Sequence, residues 1–258
     1  MKSLNKIAVV NSHPTQYFGP LYRYLNNDDS IELTALYCCD VNIRESFDEQ
    51  FQESLRYDND ILSGYRSIFL GKRSSKREVK GFWSLIVPEI WTEIRTGGYD
   101  VVWIHGYSFF AFILALMAAK SKNIKVYFRG ETHLHLKRTK FKQLLHELLI
   151  KNLFKLYDGF LAIGTQNKRY YLAMGVKEDK IFDVPYTIDN NFFSNSSSQS
   201  YSLNTQKYFK DRPSILFASK FMPRKHPMDL LHASLKLHEK GIKHNLIFVG
   251  SGEMQDKM

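Results

Sequence analysis

Short apolar runs alternate with stretches of helical period along most of this chain. Ile7 to Val10, Glu32 to Tyr37, Val101 to Ile104, Lys125 to Phe128, Phe160 to Ile163 and Ile181 to Val184 read as strands. Between them, Tyr17 to Leu25, Phe82 to Ile94, Phe109 to Ala119, Lys140 to Leu156 and Asn167 to Met174 read as helices. Asn26, Gly97 and Gly175 stand where helices should stop. Strands that alternate with helices predict a doubly wound α/β domain. Asp40 to Tyr65 is polar, aromatic and without period, and predicts an excursion from the sheet.

The alternation breaks between Asn190 and Asp211, a polar stretch rich in Ser and Asn that reads as an interdomain linker. After it the pattern resumes. Ile215 to Ala218 is an apolar run, Leu230, Leu231, Leu235 and Leu237 recur at helical spacing, Gly241 marks a stop, and Leu246 to Val249 is a second apolar run. Strand, helix, strand is the unit of a parallel sheet. The expected organisation is a first domain at 1–190, a linker at 191–211 and a second domain at 212–258. A segment as short as the second buries too little apolar surface to complete a sheet domain by itself.

Charge narrows the class of partner. A net charge of +10 and a pI near 9.4 point to an anionic one: nucleotide phosphates, an acidic membrane surface or nucleic acid. No helix interleaves aromatic and basic residues as a base-stacking platform does, so nucleic acid ranks last. The only cysteines are the neighbours Cys38 and Cys39, which have neither disulfide nor metal-site spacing and fit a reducing cytoplasm. Met1 to Lys6 leads straight into a strand without the features of a signal peptide. The longest apolar run, Phe109 to Ala119, falls short of the roughly 20 residues that cross a bilayer. The expectation is a cytoplasmic protein, soluble or peripheral at the inner membrane face.

Candidate chemistry gathers at strand ends, because ligands of such sheets lie beyond the carboxyl ends of the strands. Lys220, Arg224 and Lys225 follow the first strand of the second unit, where side chains and a helix N-terminus can meet a phosphate. A solvated basic turn is the plain alternative. His105 ends one strand of the first domain, as a group that orients an acceptor or hydrogen-bonds a donor sugar, or as a capping residue. Arg129, Glu131 and His133 follow the next strand. A carboxylate beside an imidazole can position or deprotonate a hydroxyl; a salt bridge between Arg129 and Glu131 is the alternative. Gln16 and Gly19 close the first loop, where glycine lets backbone approach a phosphate or a helix simply starts. Gly250 and Gly252 suggest a phosphate cradle, although Gln255 occupies the place of a third fingerprint glycine.

Taken in order, these segments resemble a known family. Ser12-His13-Pro14-Thr15-Gln16 through Arg23, Tyr99 through Gly106, Leu161 through Asn167, Val184 through Asp189, Ser219-Lys220, Lys225-His226 and Val249-Gly250-Ser251-Gly252 together look like the retaining GT-B glycosyltransferases of family 4. The resemblance implies an α/β fold of GT-B type, two Rossmann-like domains with the second incomplete. It implies transfer of a sugar from a nucleotide-sugar donor to a glycan or lipid-linked acceptor, with retained configuration, in cell-surface polysaccharide synthesis. It implies no cofactor and no metal. In its terms His105, Glu131 and His133 are catalytic, Lys220, Lys225, Gln16 and Gly19 meet the donor diphosphate, and Arg129, Gly250 and Gly252 line the cleft.

Departures from the family pattern are specific. Lysine stands at 220 for the usual arginine, His226 for a glycine and Arg129 for a frequent histidine, and the segment 212–258 does not contain the paired-glutamate element with which the family's second domain holds the donor sugar. A non-catalytic acceptor-binding or scaffold protein is the competing reading. The helix at 140–156 adds one further expectation. Its stripe of Phe141, Leu144, Leu145, Leu148, Leu149, Leu153 and Leu156 is flanked by Lys137, Arg138, Lys140, Lys142 and Lys151, with Lys72 to Arg77 adding charge. Either the stripe is buried in the first domain, or these segments touch an anionic membrane surface.

Overall fold

The computed structural model describes residues 4–41, 43, 46–48, 53–55, 60–71, 79, 81–134, 139–198 and 212–258. The basic loop at 72–77, Lys137 and Arg138 lie outside the described residues, as does the linker from 199 to 211. The chain divides into two compact units, Met1–Arg44 with Tyr57–Ile188, and Glu45–Arg56 with Asp189–Met258.

The first unit is built on a parallel sheet. Its strands are β1 (Asn5–Asn11), β2 (Ile31–Tyr37), β5 (Arg66–Phe69), β6 (Val101–His105), β7 (Lys125–Arg129), β8 (Gly159–Ala162) and β9 (Ile181–Asp183). They lie in the order β5-β2-β1-β6-β7-β8-β9. The six apolar runs predicted as strands before the linker are all here, because a sheet covered on both faces needs nearly unbroken hydrophobic strands. Ala8, Val10, Val102, Ile104, Val126 and Phe128 face one core. Val9, Leu33, Ala35 and Trp103 face the other, under helix α1 (Gly19–Asn26), whose Tyr22 is fully buried.

Helices α2 (Glu89–Thr96), α3 (Phe110–Lys120), α4 (Lys140–Phe154) and α5 (Thr165–Ala173) supply the larger core. Aromatic rings dominate it. Phe154 packs at 5.0 Å from Phe128 and 4.9 Å from Phe160, and Tyr171 adds to the same cluster. Fully burying each such ring contributes about 1.5–3 kcal/mol.

Four expectations are corrected. The helix predicted over Phe82 to Ile94 is a 3-10 turn at Phe82–Ser84 followed by α2, because Pro88 lacks an N–H and can only begin a helix. The aperiodic stretch from Asp40 to Tyr65 holds strands β3 (Ser46–Asp48) and β4 (Glu53–Leu55), which pair antiparallel in a sheet of their own, apart from the main sheet as expected; what was not expected is β5, which follows the stretch and joins the main sheet beside β2. Asn190–Ser198, read as linker, is helix α6. The leucine stripe of α4 is not buried: Leu144, Leu148 and Leu149 are 68%, 58% and 61% exposed, and the helix seats itself through Ile150 and Phe154 instead.

The second unit contains β10 (Ser214–Ala218), α7 (Pro227–Glu239) and β11 (Asn245–Val249). The two strands pair in parallel from Ser214 opposite Asn245 to Ala218 opposite Val249. Phe217, Phe221 and Phe248 pack against one another with centroids 5.4–6.1 Å apart. His226, where the family resemblance puts glycine, takes φ 55° as it starts α7. That left-handed conformation is one glycine adopts freely and other residues adopt at a cost.

Among the described residues no helix is long and apolar enough to cross a membrane. Phe154→Ala should lower the unfolding free energy by about 3–5 kcal/mol, as large-to-small substitution in a packed aromatic core does. Urea denaturation monitored by circular dichroism checks this, with an unchanged m-value expected.

Candidate functional site

The strand order reverses direction at β1. Chain order runs outward to β2 and β5 on one side and to β6 through β9 on the other, so β1 and β6 flank the switch point. The carboxyl ends there open into a cavity of about 450 Å³, within the range of small-molecule sites. Its walls are the loop after β1, with Ser12, His13, Thr15 and Phe18; the end of β6, with His105; the loop after β7, from Arg129 to His133; and Tyr186. The parallel register sets His105 directly beside Arg129.

His105 is held by its neighbours. Its Nε2 lies 3.0 Å from the Tyr22 hydroxyl, and Asn11 Nδ2 donates to that hydroxyl oxygen at 2.5 Å. With Asn11 donating to the oxygen, the phenol proton is free to be given to Nε2, and His105 then keeps its own proton on Nδ1. The imidazole stacks on Trp103 at 4.8 Å and meets Phe18 at 4.3 Å. Burial, reinforced by the Arg129 charge, holds its pKa well below the ordinary 6.5. A neutral imidazole with Nε2 engaged is better suited to orient a hydroxyl by hydrogen bonding than to remove its proton through that nitrogen.

Arg129 is 2% exposed, and its Nε, Nη1 and Nη2 have no hydrogen-bond partner among the described residues. Three rings surround the guanidinium instead: Tyr186 at 4.8 Å, Phe18 at 5.3 Å and Trp103 at 5.9 Å. Burial lowers its pKa, partly countered by nearby tyrosines and Glu131. The Arg129–Glu131 salt bridge considered as an alternative is not formed. Glu131 is exposed and accepts a hydrogen bond from the Tyr186 hydroxyl.

Helix α5 fixes the loop that carries Glu131 and His133. Asn167 Nδ2 donates to the Thr132 carbonyl at 2.9 Å, and the Tyr171 hydroxyl accepts from the Gly130 N–H at 3.0 Å. Asn11, Tyr22, Tyr186 and Tyr171 were not singled out from sequence. Each acts across the fold, and nothing in local spacing marks it.

Of the expected site residues, this cavity brings together His105, Arg129, Glu131 and His133. Gln16 sits in the adjoining turn without lining the cavity. Glycine at 19 has a packing cause, since a Cβ there would fall 2.5 Å from the Ile61 carbonyl oxygen. Lys220, Lys225, Gly250 and Gly252 belong to the second unit. There the loops after β10 and β11 are stitched together: Ser219 N–H donates to the Val249 carbonyl at 3.1 Å, and Phe221 N–H to the Ser251 carbonyl at 2.8 Å. Gly250, at φ 141°, leaves room for this approach, because a Cβ would meet the Ser219 oxygen at 2.0 Å. Lys220 follows directly, and Lys225 lies exposed in the 3-10 turn Pro223–Lys225 leading into α7. Among the described residues no group of three or more His, Cys, Asp or Glu is placed to hold a metal.

No family model and no curated protein matches the chain. Solved structures share its fold. Anabaena HepE in complex with UDP and glucose aligns with a TM-score of 0.56 at 12% identity, over 98% of this chain and 63% of that one. A UDP-N-acetylglucosamine 2-epimerase from Rickettsia bellii aligns at 0.53 and 14% identity, over 95% and 62%. The S. aureus MnaA–UDP structure aligns at 0.51 and 14%, again over 95% and 62%. The fold is of GT-B type, built from Rossmann-like units. The chain spans between 62% and 63% of the length of these structures.

Burial holds His105 and His13 below their ordinary values. As pH falls, the unfolded chain therefore takes up these protons first, so their contribution is complete above 6.5 and is lost below it. Stability should decline as pH falls below 6.5, with His105 the larger contributor because its pKa is lowered further. His105→Gln should show a shallower decline than wild type in urea melts at pH 7.5, 6 and 5.

Proposed function

We propose that this chain is part of a glycosyltransferase similar to the retaining enzymes of family 4, moving a sugar from a nucleotide-sugar donor to a glycan or lipid-linked acceptor. The observation that carries the reading is the second unit's pair of stitched loops. They bring Lys220 beside the Gly250–Gly252 loop at the carboxyl ends of two parallel strands, where a diphosphate is met in folds of this kind. Negative charge builds on the nucleotide diphosphate as the glycosidic bond breaks, and cations at Lys220 and Lys225 stabilise it without a metal. The cavity of the first unit then receives the acceptor. His105 orients the incoming hydroxyl, and Glu131 with His133 positions it or takes its proton. Similarity to structures containing UDP supports a uridine nucleotide as donor.

A second reading is favoured by the epimerases among the structural relatives: conversion of a UDP-sugar without an acceptor. Incubation with UDP-N-acetylglucosamine and analysis of the sugar released or rearranged separates it from transfer.

The charge and exposed leucines of α4 support a location at an anionic membrane, on the cytoplasmic side, in the synthesis of cell-surface polysaccharide. Leu144, Leu145, Leu148 and Leu149 present an apolar surface next to Lys151 on the same helix.

Isothermal titration should show binding of UDP or GDP to the 258-residue chain. Lys220→Ala and Lys225→Ala should each cut turnover about 10²–10³-fold, the scale of one lost transition-state donor, with circular dichroism unchanged. No affinity for either nucleotide would sink the transferase reading for this chain. In co-sedimentation, vesicles with anionic lipid should retain the protein at low salt and release it at high salt, and Leu148→Glu should abolish retention. Equal retention on neutral vesicles would remove the anionic-surface reading.

A further inference from the structure

The first unit keeps a positive charge at its cavity with no hydrogen bond or salt bridge to pair it among the described residues. Taking a guanidinium out of water is costly even after the protein relaxes. The rings of Phe18, Trp103 and Tyr186 return part of that cost through cation–π contact. They satisfy none of the five N–H donors of Arg129, whose three nitrogens all lack a hydrogen-bond partner among the described residues. The group is 2% exposed and lines the cavity, so a molecule in the cavity is the nearest source of a partner for its vacant donors.

We propose that Arg129 is the receptor for an oxyanion, a carboxylate or a phosphate, carried by the molecule that occupies this cavity. A planar fork of N–H groups fits either anion in a bidentate geometry that a point charge would not give. The rings hold the guanidinium in place and exclude water, which strengthens the pairing once it forms. Glu131 is the one carboxylate among the cavity-lining residues, and it is engaged by Tyr186. His105, Ser12 and His13 remain for the uncharged part of the ligand. Calling that ligand the acceptor rests on the transferase reading above: the acceptor is then an acidic sugar or a sugar phosphate rather than a neutral one.

Thermal melts of the 258-residue chain test this with three probes at matched ionic strength: inorganic phosphate, glucuronate and glucose. Phosphate or glucuronate should raise the melting temperature, as a ligand of the native state does, and glucose should not. The stronger of the two identifies the acid group. Titration calorimetry should show the preferred anion binding at least 10-fold more weakly to Arg129→Met. Arg129→Gln, which retains a polar amide, decides the matter if the methionine variant does not fold. The proposal is overturned if neither anion binds wild type, or if the folded variants bind it equally well. UDP titrated into the same variants separates the two readings. UDP affinity that falls with Arg129 would assign the oxyanion to the donor diphosphate and overturn the acceptor assignment. If neither UDP nor GDP binds even wild type, the transferase reading fails, and the oxyanion site then stands or falls on phosphate and glucuronate alone.

Discussion

The parallel register of β1, β6 and β7 is the constraint on which the rest of the first unit depends. Because the strands run together, their carboxyl ends emerge at one edge of the sheet, and helices cover both faces. Asn11, His105 and Arg129 are consequently the last residues of three adjacent strands. Polar side chains of this size have no place within such a sheet, whose interior is apolar on both sides. At the switch point they have space, and the loops after β1 and β7 wall it in. The cavity is thus a product of topology before it is a product of any one residue.

Within that space the electrostatics follow from packing. A ring cage of Phe18, Trp103 and Tyr186 keeps water from Arg129, and the Arg129 charge together with burial keeps His105 neutral. The hydrogen bond from Asn11 to Tyr22 continues to His105, so one nitrogen of the imidazole is committed. The loop bearing Glu131 and His133 is pinned from α5 rather than by its own turn chemistry. A site assembled in this way is preorganised: its groups are placed by the core and pay little further ordering cost when a ligand arrives.

The second unit works by the same rule in a smaller compass. Two parallel strands bring two loops together, and the close approach of Ser219 to Gly250 excludes any side chain at the glycine. The geometry explains two residues in terms independent of ligand. Gly250 is glycine because backbone fills the space of its Cβ, and position 226 adopts the left-handed conformation in which the family pattern has glycine.

Hydrophobic period alone determined the order of strands and helices, the α/β class and the strand ends at which His105 and Arg129 sit. That information is local: a continuous apolar run and a 3.6-residue stripe each report which faces of an element must be covered. The strand β5 was not legible because Arg66 and Ser67 interrupt its apolar run, leaving nothing that marks a buried strand. The α4 stripe misled because a run of leucines says that a face is apolar, not which neighbour covers it. Only tertiary structure decided that Arg129 is buried without a hydrogen-bond partner among the described residues, that Tyr22 and Asn11 hold His105, and that the Tyr186 hydroxyl engages Glu131. Those contacts join residues 11 to 83 positions apart in the chain. Their physical cause is the meeting of strand ends in space, which no spacing along the sequence encodes.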